Sequence, residues 1–215
     1  TGQIGGGDPP HGGVPTATPY ENDAGIAAVL AATPANHNEE NSGLTLPIVA
    51  ATVTAVVSFR ENRQFWIEDA NGAIVFFLNA APPEELLPIT VGQKISLTVN
   101  AVKNFFDTPE ITQASDWQLV SSGNPVHIAD KTGEDIPFEM LGQIVRVSGE
   151  ITSNDGGCGG GNTCYTLTHG NKTITLRTQS EFVAVGDCYT FVGPLGHFQK
   201  TPQLDAIDFD WIEEN

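Results

Sequence analysis

The C-terminal part of this chain is the same pattern written twice, and that repeat limits the fold more than any other feature. Val91-Gly92-Gln93-Lys94-Ile95-Ser96-Leu97 is followed by Phe105, then Thr108-Pro109-Glu110-Ile111, then Asp116-Trp117. Val185-Gly186-Asp187-Cys188-Tyr189-Thr190-Phe191 is followed by Phe198, then Thr201-Pro202-Gln203-Leu204, then Asp210-Trp211. Glycine to proline is 17 residues in the first copy and 16 in the second, and proline to tryptophan is 8 and then 9. Order and spacing kept this closely mean two related modules. The pairs Gly92/Gly186, Pro109/Pro202 and Trp117/Trp211 are expected to superpose.

Each module reads as five strands. Ile48 to Val57 is β-branched and largely alternating, as a long first strand should be. Gln64 to Glu68 and Ala73 to Leu78 flank Asn71-Gly72, a strong hairpin signal. Lys94 to Val99 alternates with Ile95, Leu97 and Val99 inward, and residues 111–120 close the set. The second copy repeats this with Gln143 to Ile151, Tyr165 to Thr168, a turn at His169 to Lys172, and Thr173 to Arg177. Tyr189 and Phe191 take the inward places of Ile95 and Leu97. The predicted fold is all-β: two tandem OB-fold-like five-stranded Greek-key barrels behind a mostly irregular N-terminal extension. The divisions are 1–45 for the extension, 46–123 for the first module, 124–138 for a linker and 139–215 for the second module.

A family resemblance accompanies this reading. The Val-Gly-x-x-aliphatic start with a later aromatic, together with Phe65-Trp66-Ile67-Glu68-Asp69 on strand two, resembles the OB-type modules beside secreted bacterial nucleases. It covers residues 46–120 well and 139–213 less fully. The resemblance implies an extracellular accessory module without catalytic residues. No nuclease segment lies within these residues, so no activity is carried over.

Charge and cysteines bound the partners. Nine basic residues stand against 26 acidic ones, a net charge of −17. A phosphate backbone is bound by neutralising it with Lys and Arg, so nucleic acid is disfavoured as a partner. No apolar run reaches membrane-spanning length. The start at Thr1, without methionine or a signal-peptide pattern, reads as a mature, processed N-terminus or a cut that imitates one. Cys158 and Cys164 flank Gly-Gly-Gly-Asn-Thr and are expected to form a disulfide, which places the chain in an oxidising, extracellular or cell-surface setting. Cys188 is then left over, to pair across subunits or to lie under the linker.

Candidate sites follow from side-chain chemistry. Trp66, Phe76, Phe105 and Phe106 are the candidates for stacking bases or sugars, as OB-folds do on strands two and three; the competing reading is that they close the barrel or face the neighbouring module. Asp69, Asn71, Asp155, Asp205, Asp208 and Asp210 sit in Asp/Asn/Gly-rich stretches that suit Ca²⁺, although none matches a calcium-loop motif. The five histidines are dispersed, and no catalytic constellation is present, so the chain reads as non-enzymatic.

The extension carries one apolar patch, Gly25 to Ala32, too short to be a stable helix alone. Ile26, Val29 and Leu30 are therefore expected to dock on a barrel of another copy, as an arm joining subunits. The leading functional expectation is a secreted structural or assembly protein, a filament subunit joined through this arm. The alternative is an extracellular OB-fold binding module for nucleic acid or carbohydrate, accessory to a nuclease-like system.

Overall fold

The computed structural model describes residues 20–215, and Thr16 to Pro19 of the expected arm lie outside the described residues. The first barrel is built from β1 (Glu40–Val56), β2 (Gln64–Asp69), β3 (Gly72–Phe77), β4 (Lys94–Phe105) and β5 (Thr108–Ser121). They close in the order β1-β2-β3-β5-β4. Every contact between neighbours is antiparallel except β3 with β5, where Val75 and Phe76 run parallel to Glu110 and Ile111.

The second barrel repeats this wiring. It uses β7 (Ile144–Gly157), β8 (Thr163–His169), β9 (Lys172–Thr178), β10 (Cys188–Phe198) and β11 (Thr201–Ala206), with β9 and β11 parallel and β10 returning to β7. Two short strands add to it, β6 (Ala129–Asp130) beside β7 and β12 (Ile212–Glu214) beside β10. The chain is all-β, with two closed five-stranded barrels of OB type.

The hairpins fix the correspondence between copies. Asp69 pairs with Gly72 at one turn and His169 with Lys172 at the other, so β2–β3 maps onto β8–β9 at an offset of 100 residues. The tryptophans do not correspond as the spacing predicts. Ser96 pairs with Gln118 and Thr190 with Glu213, which sets Trp117 beside Ile212 rather than Trp211. A 3₁₀ turn at Phe209–Trp211 breaks the last strand, with Asp208 accepting the Asp210 N–H at its start. That turn carries Trp211 out of the strand and against Trp66 of the first barrel, ring centroids 5.6 Å apart and edge to face.

The expected arm belongs to its own barrel, which corrects the assembly reading. Residues Ile26–Ala31 form one short helix, α1, and Ile26 and Val29 are wholly buried in the first barrel's core with Phe65, Ile67 and Ile74. Leu30 packs against the same core. Tertiary packing supplies what a six-residue helix lacks. The β2–β3 hairpin anchors it: the Asp69 carboxylate accepts the N–H groups of Ala24 (2.8 Å) and Ile26 (3.1 Å). Gly25, at φ 101°, passes so close to the Pro47 carbonyl that a Cβ there would lie 2.5 Å from the oxygen. Ile26 and Val29 are thus spent inside the molecule and are not free to join subunits.

The two barrels share an apolar seam. Ala55, Val57, Trp66 and Val75, outward on the first barrel, are buried with Ile144, Val145 and Trp211 of the second. Glu68 is sealed into this seam, where its Oε1 accepts the Ile144 N–H at 2.9 Å. Burial pushes its carboxyl up to about 8, against the lowering effect of that N–H. Tyr20 hydrogen-bonds at its hydroxyl with the His127 N–H, and burial, with Glu68 nearby, raises its phenol well above the ordinary value.

Candidate binding cleft between the barrels

Where the seam opens, the barrels leave a cleft of about 980 Å³. Its walls come from both copies, and two of them, the β4–β5 and β10–β11 hairpins, are equivalent parts. The first barrel supplies the outer face of β2–β3, with Gln64, Trp66, Val75 and Phe77, and the β4–β5 hairpin with Phe105, Phe106 and Asp107. The second supplies the β10–β11 hairpin with His197, Phe198 and Gln199, and the Gly-rich loop at Cys158, Gly159 and Gly160. These are the surfaces with which OB-folds take oligonucleotides and oligosaccharides.

Both β4–β5 and β10–β11 turn through two consecutive left-handed residues, Phe106-Asp107 and Gln199-Lys200. Such turns match the twist of the flanking strands and hold the hairpin tips out from the barrel. The tips meet across the cleft. Lys200 Nζ lies 3.5 Å from Asp107, and His37 Nε2 lies 3.2 Å from the same carboxylate. His197 Nδ1 accepts the Lys200 N–H, so in the neutral ring Nε2 carries the proton and donates to Thr108 Oγ1 at 3.0 Å. Burial lowers the His197 pKa, which keeps the ring neutral near pH 7.

Four exposed phenylalanine rings stand on the cleft surface. Phe77 is 43% exposed, Phe105 45%, Phe106 53% and Phe198 66%. Phe105 and Phe106 meet edge to face at 5.1 Å, and Lys103 stands over the Phe105 ring. Glu110, also on the wall, is pushed by burial up to about 7, with Lys103 opposing. Asp205 is likewise raised by burial while Arg177, 3.6 Å away, works against the rise.

Two residues of this wall each bury one polar atom without a hydrogen-bond partner in the fold, Gln64 Oε1 and Trp211 Nε1. Leaving such a group buried and unpaired costs about 1–3 kcal/mol. Among the described residues Thr52 Oγ1 is also buried and unpaired, while the Thr54 hydroxyl faces Glu68; neither threonine lines the cleft.

Of the stacking candidates, Phe105 and Phe106 stand at the cleft with exposed rings. Trp66 lines it but is mostly covered by Trp211. Phe76 lies inside the first barrel, stacked on Phe65 at 4.4 Å, so its stacking role is withdrawn. The neighbouring Phe77 is the outward ring. β3 is buried on both faces along most of its length, and that concealed which of two adjacent phenylalanines faces out. Phe198 was legible as the repeat partner of Phe105. The place of Trp211 at the cleft had no sequence signal, because it depends on how the barrels dock.

The calcium candidates do not gather. Asp69 holds the N–H groups of Ala24, Ile26 and Asn71; Asp208 holds those of Ser58 and Asp210. Asp155 bonds with the Ser153 and Thr166 hydroxyls, and Asp205 with Gln203 and Arg177. Among the described residues, no group of three or more such side chains is placed to hold a metal ion. Turn chemistry and strand anchoring account for these acids, and the calcium assignment is dropped. Cys158 and Cys164 are joined by a disulfide, while Cys188 is a free, exposed thiol at the start of β10.

No protein-family model matches the chain, and no curated protein matches it significantly. Solved structures similar to it include the tetrameric p202 HIN2, at 11% identity and a TM-score of 0.38 over 84% of this chain and 95% of that one. A murine DNA-binding protein bound with double-stranded DNA matches at 13% identity and TM-score 0.38, covering 74% of this chain and 89% of that one. The Ifi202 HINa domain in complex with a 20 bp duplex matches at 10% and 0.38, covering 82% and 98%. None is a nuclease accessory module. The filament expectation and the exclusion of nucleic acid by charge are both corrected: Ile26 and Val29 of the expected arm are buried in their own barrel, and two of these structures, as a property of those proteins, hold double-stranded DNA. The −17 is an average over the whole surface, while binding answers to the local field. Arg177 lines the cleft, with Lys200 and Lys103 beside it, but Asp107, Glu110, Glu139 and Asp205 line it as well, and Arg177 and Lys200 are each paired with one of these acids.

Proposed function

We propose that this chain is a non-enzymatic OB-fold binding module that holds nucleic acid or a carbohydrate chain in the cleft between its barrels. One observation carries the reading: two equivalent hairpins converge there and leave Phe105, Phe106 and Phe198 exposed beside Phe77. Exposed rings are costly in water and are well used as stacking platforms for bases or sugars. The Cys158–Cys164 disulfide suits an oxidising compartment, so we place the work of the module outside the cell, with a role beside a nuclease as its extension.

Labelled double-stranded DNA, the ligand of two of the structural neighbours, is the first probe; single-stranded DNA and a neutral glucan follow. Phe105→Ala with Phe106→Ala, and separately Phe198→Ala, should weaken the bound ligand about 5- to 150-fold, the range for losing a stacking ring. If none of the probes binds, or if binding survives removal of all three rings, the reading is wrong.

A further inference from the structure

We infer that Glu68 is a proton-operated catch between the two barrels: as a neutral acid it lets them dock, and as a carboxylate it loosens the seam. The catch works on the docking of the barrels and needs no ligand in the cleft. Glu68 is 3% exposed and shares the outer face of β2 with Trp66, where the second barrel covers both. Its Oε1 accepts the N–H of Ile144, the first residue of β7, so this hydrogen bond runs from one barrel to the other. The counterpart of Glu68 in the second copy is Thr168, so the barrel itself does not ask for an acid at this place.

Every element packed around the carboxyl faces it with something other than a cation. β1 brings the Thr54 hydroxyl, β2 the Asp69 carboxylate and β7 the Ile144 N–H. The chain entering the first barrel brings the Tyr20 phenol, whose oxygen accepts the His127 N–H of the linker. A carboxylate buried without a cation is expensive, and such a group keeps its proton instead. Burial accordingly holds this carboxyl at about 8. When the barrels part, water reaches it and it ionises as an ordinary glutamate does. Proton binding and docking are thereby linked, and between 4.5 and about 8 each pH unit weakens docking by up to about tenfold. The seam can open without unfolding either copy, because the first barrel's core of Ile48, Phe65, Ile67 and Phe76 is separate from the seam of Trp66, Val75, Ile144 and Trp211.

The test uses the full chain without ligand. Backbone hydrogen exchange is followed by NMR from about pH 5 to 9, where it reports the opening equilibrium at each amide. The Ile144 amide reads the seam, and the Ile67 amide, in a core strand of the first barrel, is the internal reference. In the wild type the ratio of Ile144 to Ile67 exchange should rise by up to about tenfold per pH unit, then level off above about 8. Glu68→Gln keeps an acceptor for the Ile144 N–H and cannot ionise, so its ratio should stay flat. The Asp107–Lys200 pair also spans the barrels, but both proteins retain it, and the difference between them belongs to Glu68. Should Glu68→Gln fold poorly, Glu68→Met takes its place, with the same flat ratio expected.

A flat ratio in the wild type overturns the inference, because global unfolding raises both amides together and leaves the seam without an opening of its own. A rise in Glu68→Gln equal to that of the wild type overturns it too, since the charge is then not the cause. Neither result touches the ligand of the cleft, which the binding probes above decide separately.

Discussion

The two barrels agree on their inner faces and part on their outer ones. At the 100-residue offset, Phe65, Ile67, Ile74 and Phe76 face Tyr165, Leu167, Ile174 and Leu176, all buried. Between them, Trp66, Glu68, Val75 and Phe77 are replaced by Thr166, Thr168, Thr175 and Arg177. Period-two alternation explains the split, since inward residues must fill a barrel while outward ones answer to whatever covers them. On the first barrel the cover is the second barrel. On the second these positions are half-buried, through cross-strand threonine contacts such as Thr152 to Thr168 at 2.9 Å and the pair of Arg177 with Asp205.

The pieces before each barrel show the same division. Asp69, the last residue of β2, ties down Ala24 and Ile26; its counterpart His169, the last of β8, accepts the Gly133 N–H at 3.0 Å. Both residues hold the chain that enters their barrel. The first does so with a charge and a buried helix, the second with an imidazole whose pKa burial lowers.

The largest test of this contrast is pH, because the carboxyl sealed in the seam belongs to the first barrel's outer face. The native Glu68 carboxyl titrates near 8, above its ordinary 4.5. Between those values the unfolded chain is ionised and the folded one still holds its proton. Stability from this group is present below pH 4.5 and falls as pH rises to 8, by on the order of 5 kcal/mol at about 1.4 kcal/mol per unit. Glu110 works in the same direction up to about 7. His169 and His197, with lowered pKa values, work in the opposite direction as pH rises towards 6.5, so the fall should be steepest from there to 8. Denaturant unfolding at several pH values checks this, and Glu68→Gln should flatten the slope.

Next in size is the pair of adjacent phenylalanines. Phe76→Ala should destabilise the fold by about 3–5 kcal/mol, whereas Phe77→Ala should stay within about 0.5 kcal/mol and weaken only ligand binding. Equal stability losses would mean that the register of β3 is misassigned.

Asp69→Ala removes the acceptor of three backbone N–H groups and should cost about 2–3 kcal/mol, read as a drop in Tm. Hydrogen exchange should quicken first at Ala24 and Ile26. The smallest effect is a reciprocal exchange on the outer faces. Val75→Thr puts a hydroxyl into the seam and should cost about 1–2 kcal/mol, while Thr175→Val on the solvated face should stay within about 0.5 kcal/mol. A reversal of that order would show that the second barrel's outer face is covered as well.

The sequence by itself determined the doubling, the strand order, the hairpin at Asn71-Gly72 and the inward places of Tyr189 and Phe191. Each rests on local turn chemistry or on alternation within one strand, which a linear reading captures. It could not decide whether Ile26 and Val29 serve a neighbour or their own barrel, since an apolar patch shows that it needs cover and not which surface provides it. Nor could it tell Phe76 from Phe77 on a strand with both faces buried, or foresee that the break at Phe209–Trp211 turns Trp211 towards Trp66. The first two outcomes depend on packing inside the first barrel between segments that are not neighbours in sequence, such as Ile26 on Asp69 and Phe76 on Phe65, and the last on the docking of one barrel on the other, which brings Trp66 and Trp211 together.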